Sequence, residues 1–173
     1  MTNISAIFST HRWLRTGSAI FWLPVVLVAT EAQNWPSFRG NNASGIAEGD
    51  GPPTRWDATK SDNIVWKTAI PGLGHSSPVV WSNRVFVTTA VTTAAKTDFL
   101  HGPTQTIKSA QDIAKHSWRV LCLSKTTERV LWERIAHEGV PQSKRHLKSS
   151  HANSTPVTDG RHLVAMFGSE GLC

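Results

Sequence analysis

The chain has no tyrosine, and only two of its 173 residues are cysteine, Cys122 and Cys173. Two thiols cannot make the disulfide framework of a small secreted scaffold, and Cys122 lies in an apolar run where it serves as a small hydrophobe. No block of five or six like charges occurs. The formal charge of +6 is spread along the chain, which gives a solvated basic surface rather than a nucleic-acid-binding arm. Apolar runs of membrane-spanning length are missing too. Gly72 and Gly74 are followed by neither GxGxxG nor GK[ST], so there is no phosphate-binding loop. Ser76, Ser77, Ser154 and Thr155 have no triad around them. No histidine pair has the i, i+4 spacing of a helical zinc site; His146 and His151 are five apart, and such residues are expected to bond backbone groups in turns.

What remains is strand-like. With 39% hydrophobic and 17% charged residues the chain can bury one core, and several of its eight tryptophans stand beside short apolar runs. Residues 118–123 are an apolar run of strand length, 124–129 a polar cluster suited to a turn, and 130–132 a second run ending on Trp132. The spacing predicts a β-hairpin. Neither run alternates, so both strands are expected to be covered on both faces.

Taken in order, residues 1–32 have the pattern of an export signal. Arg12 and Arg15 precede an apolar core from Ala19 to Ala29, and small residues follow at Thr30 and Ala32. Cleavage after Ala32 is expected; an uncleaved amphiphilic anchor is the alternative, because Pro24 interrupts the core. There is no lipobox. Residues 33–62, rich in Gly, Asn, Asp and Pro, read as an extended arm docked by Trp35, Phe38 and Trp56. Residues 63–67 read as a first strand ending at Trp66 and Lys67. The stretch from Pro78 through Val87 has the order strand, polar turn, strand, and the same order returns from Pro156 through Ala165 with Gly160 in the turn, an offset of 156 − 78 = 78 residues. This is an internal repeat. Between the two lies an insertion, about 91–115, in which Ile107, Ala110 and Ala114 are placed to share one face of a short helix. A second loop, 137–150, carries Lys144, Arg145, His146 and Lys148 and reads as solvated. His75 and His151 both precede a Ser/Thr-Pro strand start.

The segment Leu123 to Trp132 resembles the repeat of pyrroloquinoline-quinone-type (quinoprotein-like) β-propellers, whose hairpin reads Leu-Asp-x-x-Thr-Gly-Lys-x-x-Trp. Leu123, Thr127 and Trp132 keep the pattern. Ser124 replaces the usual Asp, and Glu128 the usual Gly; if position 128 has a positive φ, Glu costs about 1 kcal/mol there. The leading segment from Asn34 to Asn42 is also similar to that of exported propellers. The resemblance implies an all-β fold, a partial propeller of about two blades, each a four-stranded antiparallel sheet, spanning residues 63–173. In it Trp66, Trp118 and Trp132 pack between blades, Pro78, Pro156 and Gly160 mark repeat positions, and His75 and His151 face the central funnel. Closed propellers need about four to eight blades. The chain is therefore expected to be the amino-terminal part of a larger propeller, truncated or with its edges covered by another chain.

The function so implied is an exported, periplasmic or secreted, non-catalytic scaffold or binding module with protein partners, no nucleic acid and no stable membrane span. It resembles the propellers of outer-membrane protein assembly and requires no cofactor. The alternative is a fragment of a PQQ-dependent alcohol or sugar dehydrogenase. That reading needs PQQ, Ca²⁺ with clustered oxygen ligands, an Asp base and an adjacent cysteine pair, and the sequence carries neither the pair nor the cluster. Amino-terminal sequencing tests the export signal directly: the protein recovered from the periplasm of an exporting host should begin at Gln33, and a periplasmic chain beginning at Met1 would show that the signal is not cut.

Overall fold

A computed structural model of the chain describes residues 33–49, 51–103 and 108–173; the expected export signal at 1–32 lies outside these residues. The fold is all-β. Strands β1 (Val79–Trp81), β2 (Arg84–Thr92), β3 (His116–Ser124) and β4 (Val130–Gly139) form a four-stranded antiparallel sheet in the order β1-β2-β3-β4. A second, two-stranded sheet pairs β5 (Val157–Thr158) with β6 (Leu163–Val164). Among the described residues the first sheet stays open, with β1 and β4 at its edges, and the helical turns are short 3₁₀ pieces at Asn41–Ala43 and Gly168–Glu170.

The centre of the sheet follows from composition. β2 is rich in Val and Thr, the residues that suit a pleated surface. β3 is apolar and lies between β2 and β4, buried along its length except for a half-buried Arg119. The β2–β3 register runs without a break from Arg84 opposite Ser124 to Thr92 opposite His116. The β3–β4 ladder shifts after Trp118 and again after Cys122, as bulges do where a strand must bend. In the intervening turn the Thr127 amide donates to Ser124 Oγ at 3.2 Å, so serine supplies the turn-capping oxygen. Glu128 has φ +57°, the left-handed conformation that normally calls for glycine.

Three expectations need correcting. β4 is not covered on both faces: Val130, Leu131 and Ile135 are 44%, 52% and 53% exposed, because β4 is an edge strand. Residues 63–67 form no regular strand. Instead the Trp66 indole donates to Lys125 O at 2.7 Å and the Thr68 hydroxyl to Glu128 O at 2.7 Å, so the segment clasps the β3–β4 turn by side chains. The insertion has no helix among its described residues. The Ala110 amide donates to Arg145 O at 2.9 Å and Ser109 bridges to His146; pairing with the facing loop uses the backbone groups a helix would need. Ile107 lies outside the described residues.

The two repeat segments match in register. Val79 pairs with Phe86 and Val80 with Val85; 78 residues on, Val157 pairs with Val164 and Thr158 with Leu163. The turn residue Ser82 has φ +53° and its counterpart Gly160 φ +87°. A methyl group on Gly160 would collide with the Trp81 indole, so glycine is required there for space as well as conformation. The strand starts also touch, the Ser77 amide donating to Thr155 Oγ1 at 3.0 Å. Pro78 is exposed whereas Pro156 is buried.

The leading arm closes the junction. Trp35 exchanges two backbone hydrogen bonds with Val80, at 2.8 and 2.9 Å, and the next carbonyl, Pro36 O, accepts from Thr158 N at 3.0 Å. One short segment thus joins the edges of both sheets. Phe38 and Trp56, expected as further anchors, are exposed. Two apolar clusters fill the interior. Ala90, Trp118, Val120, Ala152, Ala165 and Phe167 form one; Val79, Phe86 and Cys122 form the other, and Trp132 and Leu163 pack on both. Burial pushes the Cys122 thiol pKa up, which keeps it an inert core residue.

Replacing Glu128 by Gly removes the left-handed strain without touching a core contact. The substitution should raise the unfolding free energy of the full chain by about 1 kcal/mol in urea denaturation; an unchanged or lower midpoint would show that Glu128 is not strained.

Candidate functional site

Trp118, fully buried in β3, is flanked by histidines. Its ring lies against three imidazoles, with centroid separations of 5.8 Å to His116, 5.2 Å to His137 and 6.0 Å to His151. The sheet explains two of these. His116 precedes Trp118 by two residues on β3 and so shares its face, and His137 is the β4 partner directly opposite Trp118. His151 arrives from the loop before β5, whose carbonyl accepts the Trp118 indole N–H at 3.2 Å.

Beyond the histidines lies a buried ionic group. Asp112 Oδ2 accepts from His151 Nε2 at 2.9 Å and from Arg145 Nε at 2.7 Å, while Oδ1 accepts from Arg145 Nη2 at 3.2 Å. Arg145 is also held by the carbonyls of Asp98 and Ser149, at 2.7 and 2.9 Å. The side chains of Arg145, Asp112 and His151 are only 4%, 10% and 9% exposed. A guanidinium fork on a carboxylate is the strong, oriented form of ion pair, and here it ties the insertion to the loop after β4. Arg145, expected in a solvated loop, is instead among the most buried polar residues; its carbonyl and carboxylate partners supply the reason.

Protonation follows from the partners. A carboxylate only accepts, so His151 carries its proton on Nε2. Burial pushes the His151 pKa below the ordinary 6.5, and the Asp112 hydrogen bond and charge pull it part of the way back. His116 Nδ1 lies 2.9 Å from the Ala114 carbonyl, which places the proton of the neutral ring on Nδ1 and leaves Nε2 with its lone pair. One ligand atom from each of Asp112, His116 and His151 can be chosen so that all lie within 4.8 Å of one another. His151 and Arg145 also line an open pocket of about 320 Å³, with Ser150, Asn153, Ser154 and Phe167. Next to His137, Glu170 Oε1 accepts from Gln142 N at 3.0 Å, and its buried Oε2, without a hydrogen-bond partner, sits 3.5 Å from His137 Nε2.

Of the residues singled out by sequence, His151 belongs to this site and His75 does not. His75 is exposed against Phe99, at 5.3 Å between rings, and only its amide reaches the second segment, donating to Ala152 O at 2.9 Å. Trp118 is fully buried in the first cluster; Trp132 is half-buried on both clusters and Trp66 half-buried on the hairpin turn. Leu123 is buried, and Thr127 is exposed with its amide on Ser124. Asp112 and His116 carried no sequence signal and Arg145 was read only as a solvated charge, because Asp112 stands 33 residues from Arg145 and 39 from His151.

Compared with protein-family models, curated proteins and solved structures, the chain matches none, so its function rests on its own residues. Among the described residues no helix is long and apolar enough to cross a membrane.

Removing Arg145 leaves Asp112 charged in a site where its strongest partner was the guanidinium. Arg145→Ala should lower the unfolding free energy by about 3–5 kcal/mol, with Arg145→Lys intermediate because one ammonium cannot satisfy both carboxylate oxygens and two carbonyls. Urea denaturation measures both, and a loss under about 1 kcal/mol for Ala would show that the pair is screened by solvent.

Proposed function

We propose that the chain is an exported, non-catalytic binding scaffold built from quinoprotein-like β-propeller repeats, with the four-stranded sheet as one blade and the β5–β6 hairpin as the start of the next. The observation that carries this reading is the repeat itself: two hairpins 78 residues apart share pairing register, a left-handed turn residue and touching strand starts. Repeats of this kind bury a common core and leave strand edges to their neighbours. The exposed apolar residues of β4 at Val130, Leu131 and Ile135 supply such an edge, and a protein strand can add to it through main-chain hydrogen bonds. The competing reading, a fragment of a PQQ-dependent dehydrogenase, requires the chain or its continuation to hold PQQ with Ca²⁺.

A photo-reactive phenylalanine analogue at Leu131, in the full chain expressed in the cells that make it, should give a discrete protein adduct in the exported fraction, whereas the same analogue at the exposed Ile113 should not. The purified protein mixed with PQQ and Ca²⁺ should leave the quinone spectrum unchanged. Absence of an adduct from position 131 would contradict the scaffold, and saturable PQQ binding would replace it by the dehydrogenase reading.

A further inference from the structure

We propose that Asp112, His116 and His151 form a binding site for a borderline transition-metal dication, with Zn²⁺ as the type case. Three separate segments deliver the ligands: the insertion gives Asp112, the first residue of β3 gives His116, and the loop before β5 gives His151. In a tetrahedral zinc site, bonds of about 2.0–2.1 Å set ligand atoms about 3.3 Å apart. Asp112 Oδ2 and His151 Nε2 already stand 2.9 Å apart, and the full set lies within 4.8 Å.

The surroundings have the form of a ligand-orienting outer shell. His116 donates Nδ1–H to the Ala114 carbonyl, the bond that fixes the tautomer and aims the Nε2 lone pair at a metal. Arg145 grips both oxygens of Asp112; a carboxylate has about four lone-pair sites, so one stays available for a metal while the fork persists. On metal binding the His151 ring keeps one proton, moved through solvent from Nε2 to Nδ1, and the Asp112 oxygen that accepted it turns to the ion. The same guanidinium limits which ions fit. Its positive charge opposes a dication, so binding depends on strong imidazole bonds, which favour Zn²⁺, Co²⁺, Ni²⁺ or Cu²⁺ over Ca²⁺ and Mg²⁺. Of the three ligands, His151 lines the open pocket of about 320 Å³, the side from which an ion would enter.

The alternative is a purely structural Arg145–Asp112–His151 linkage, and titration separates the two. The full chain, stripped with a chelator, is titrated with Co²⁺. One equivalent should bind, give visible d–d absorption and quench Trp118 emission, and Zn²⁺ should displace it. His116→Gln and His151→Gln should each weaken Zn²⁺ binding at least about tenfold, while His75→Gln leaves it unchanged. Lack of saturable one-to-one binding, or equal binding by the His116 and His151 variants, overturns the site. If either variant fails to fold, ¹⁵N-histidine spectra of the unaltered chain decide: Zn²⁺ must move the ring-nitrogen resonances of His116 and His151 and not those of His75, and the reverse pattern assigns the ion elsewhere.

Discussion

The burial of Trp118 is the interaction on which the rest of the structure depends. A fully buried indole contributes several kcal/mol, on the scale of the about 3–5 kcal/mol lost when Trp is cut to Ala in a core, and here the cluster around it draws on the first sheet and on the segment that carries the second. Ala90 and Val120 belong to the first sheet, whereas Ala152, Ala165 and Phe167 belong to the second segment. The indole N–H must also be satisfied, and the His151 carbonyl that accepts it draws the loop before β5 onto β3. A two-stranded hairpin as short as β5–β6 is not stable alone in water. It persists because Leu163 packs on the Trp118 cluster and because the segment is tied to the rest of the chain, the Thr158 amide donating to Pro36 O and Thr155 Oγ1 accepting from the Ser77 amide.

The same placement builds the polar site. Once His151 is drawn to Trp118 it lies beside His116, and the carboxylate that reaches it must come from the insertion. Asp112 does so, and Arg145 compensates its charge. The insertion is thereby held without a helix, by a fork of hydrogen bonds and a few backbone contacts. The chemistry of the site and the order of the loops are two consequences of one packing arrangement.

The parts of the fold legible in the sequence were those set by short-range signals. The β3–β4 hairpin was readable from two apolar runs around a polar turn, and the strain at Glu128 from its departure from the repeat pattern. The 78-residue repeat was readable because turn and strand residues recur in order. What failed depended on position in the sheet. Residues 130–132 are as apolar as those of a central strand, but nothing in them shows that β4 lies at an edge. Residues 63–67 have strand composition and find their partners through the Trp66 and Thr68 side chains instead of a ladder. In the described part of the helical pattern expected over Ile107, Ala110 and Ala114, Ser109 and Ala110 pair instead through the backbone with the loop after β4. The site was mostly illegible: Arg145 looked like a solvated charge, and its partners lie dozens of residues away.

Native-state hydrogen exchange on the full chain tests most directly whether the two segments form one unit through Trp118. The amides of Leu121 and Cys122 in β3 report the first sheet, and those of Ala165 and Phe167, bonded to Cys173 O and Gly171 O, report the second segment. If Trp118 joins them, all four should exchange with a common opening free energy, and Trp118→Phe should lower all four together. Should Ala165 and Phe167 exchange through a separate, lower-energy opening that Trp118→Phe leaves unchanged, the second segment would be an independent attachment, and the dependence of fold and site on the Trp118 indole would be contradicted.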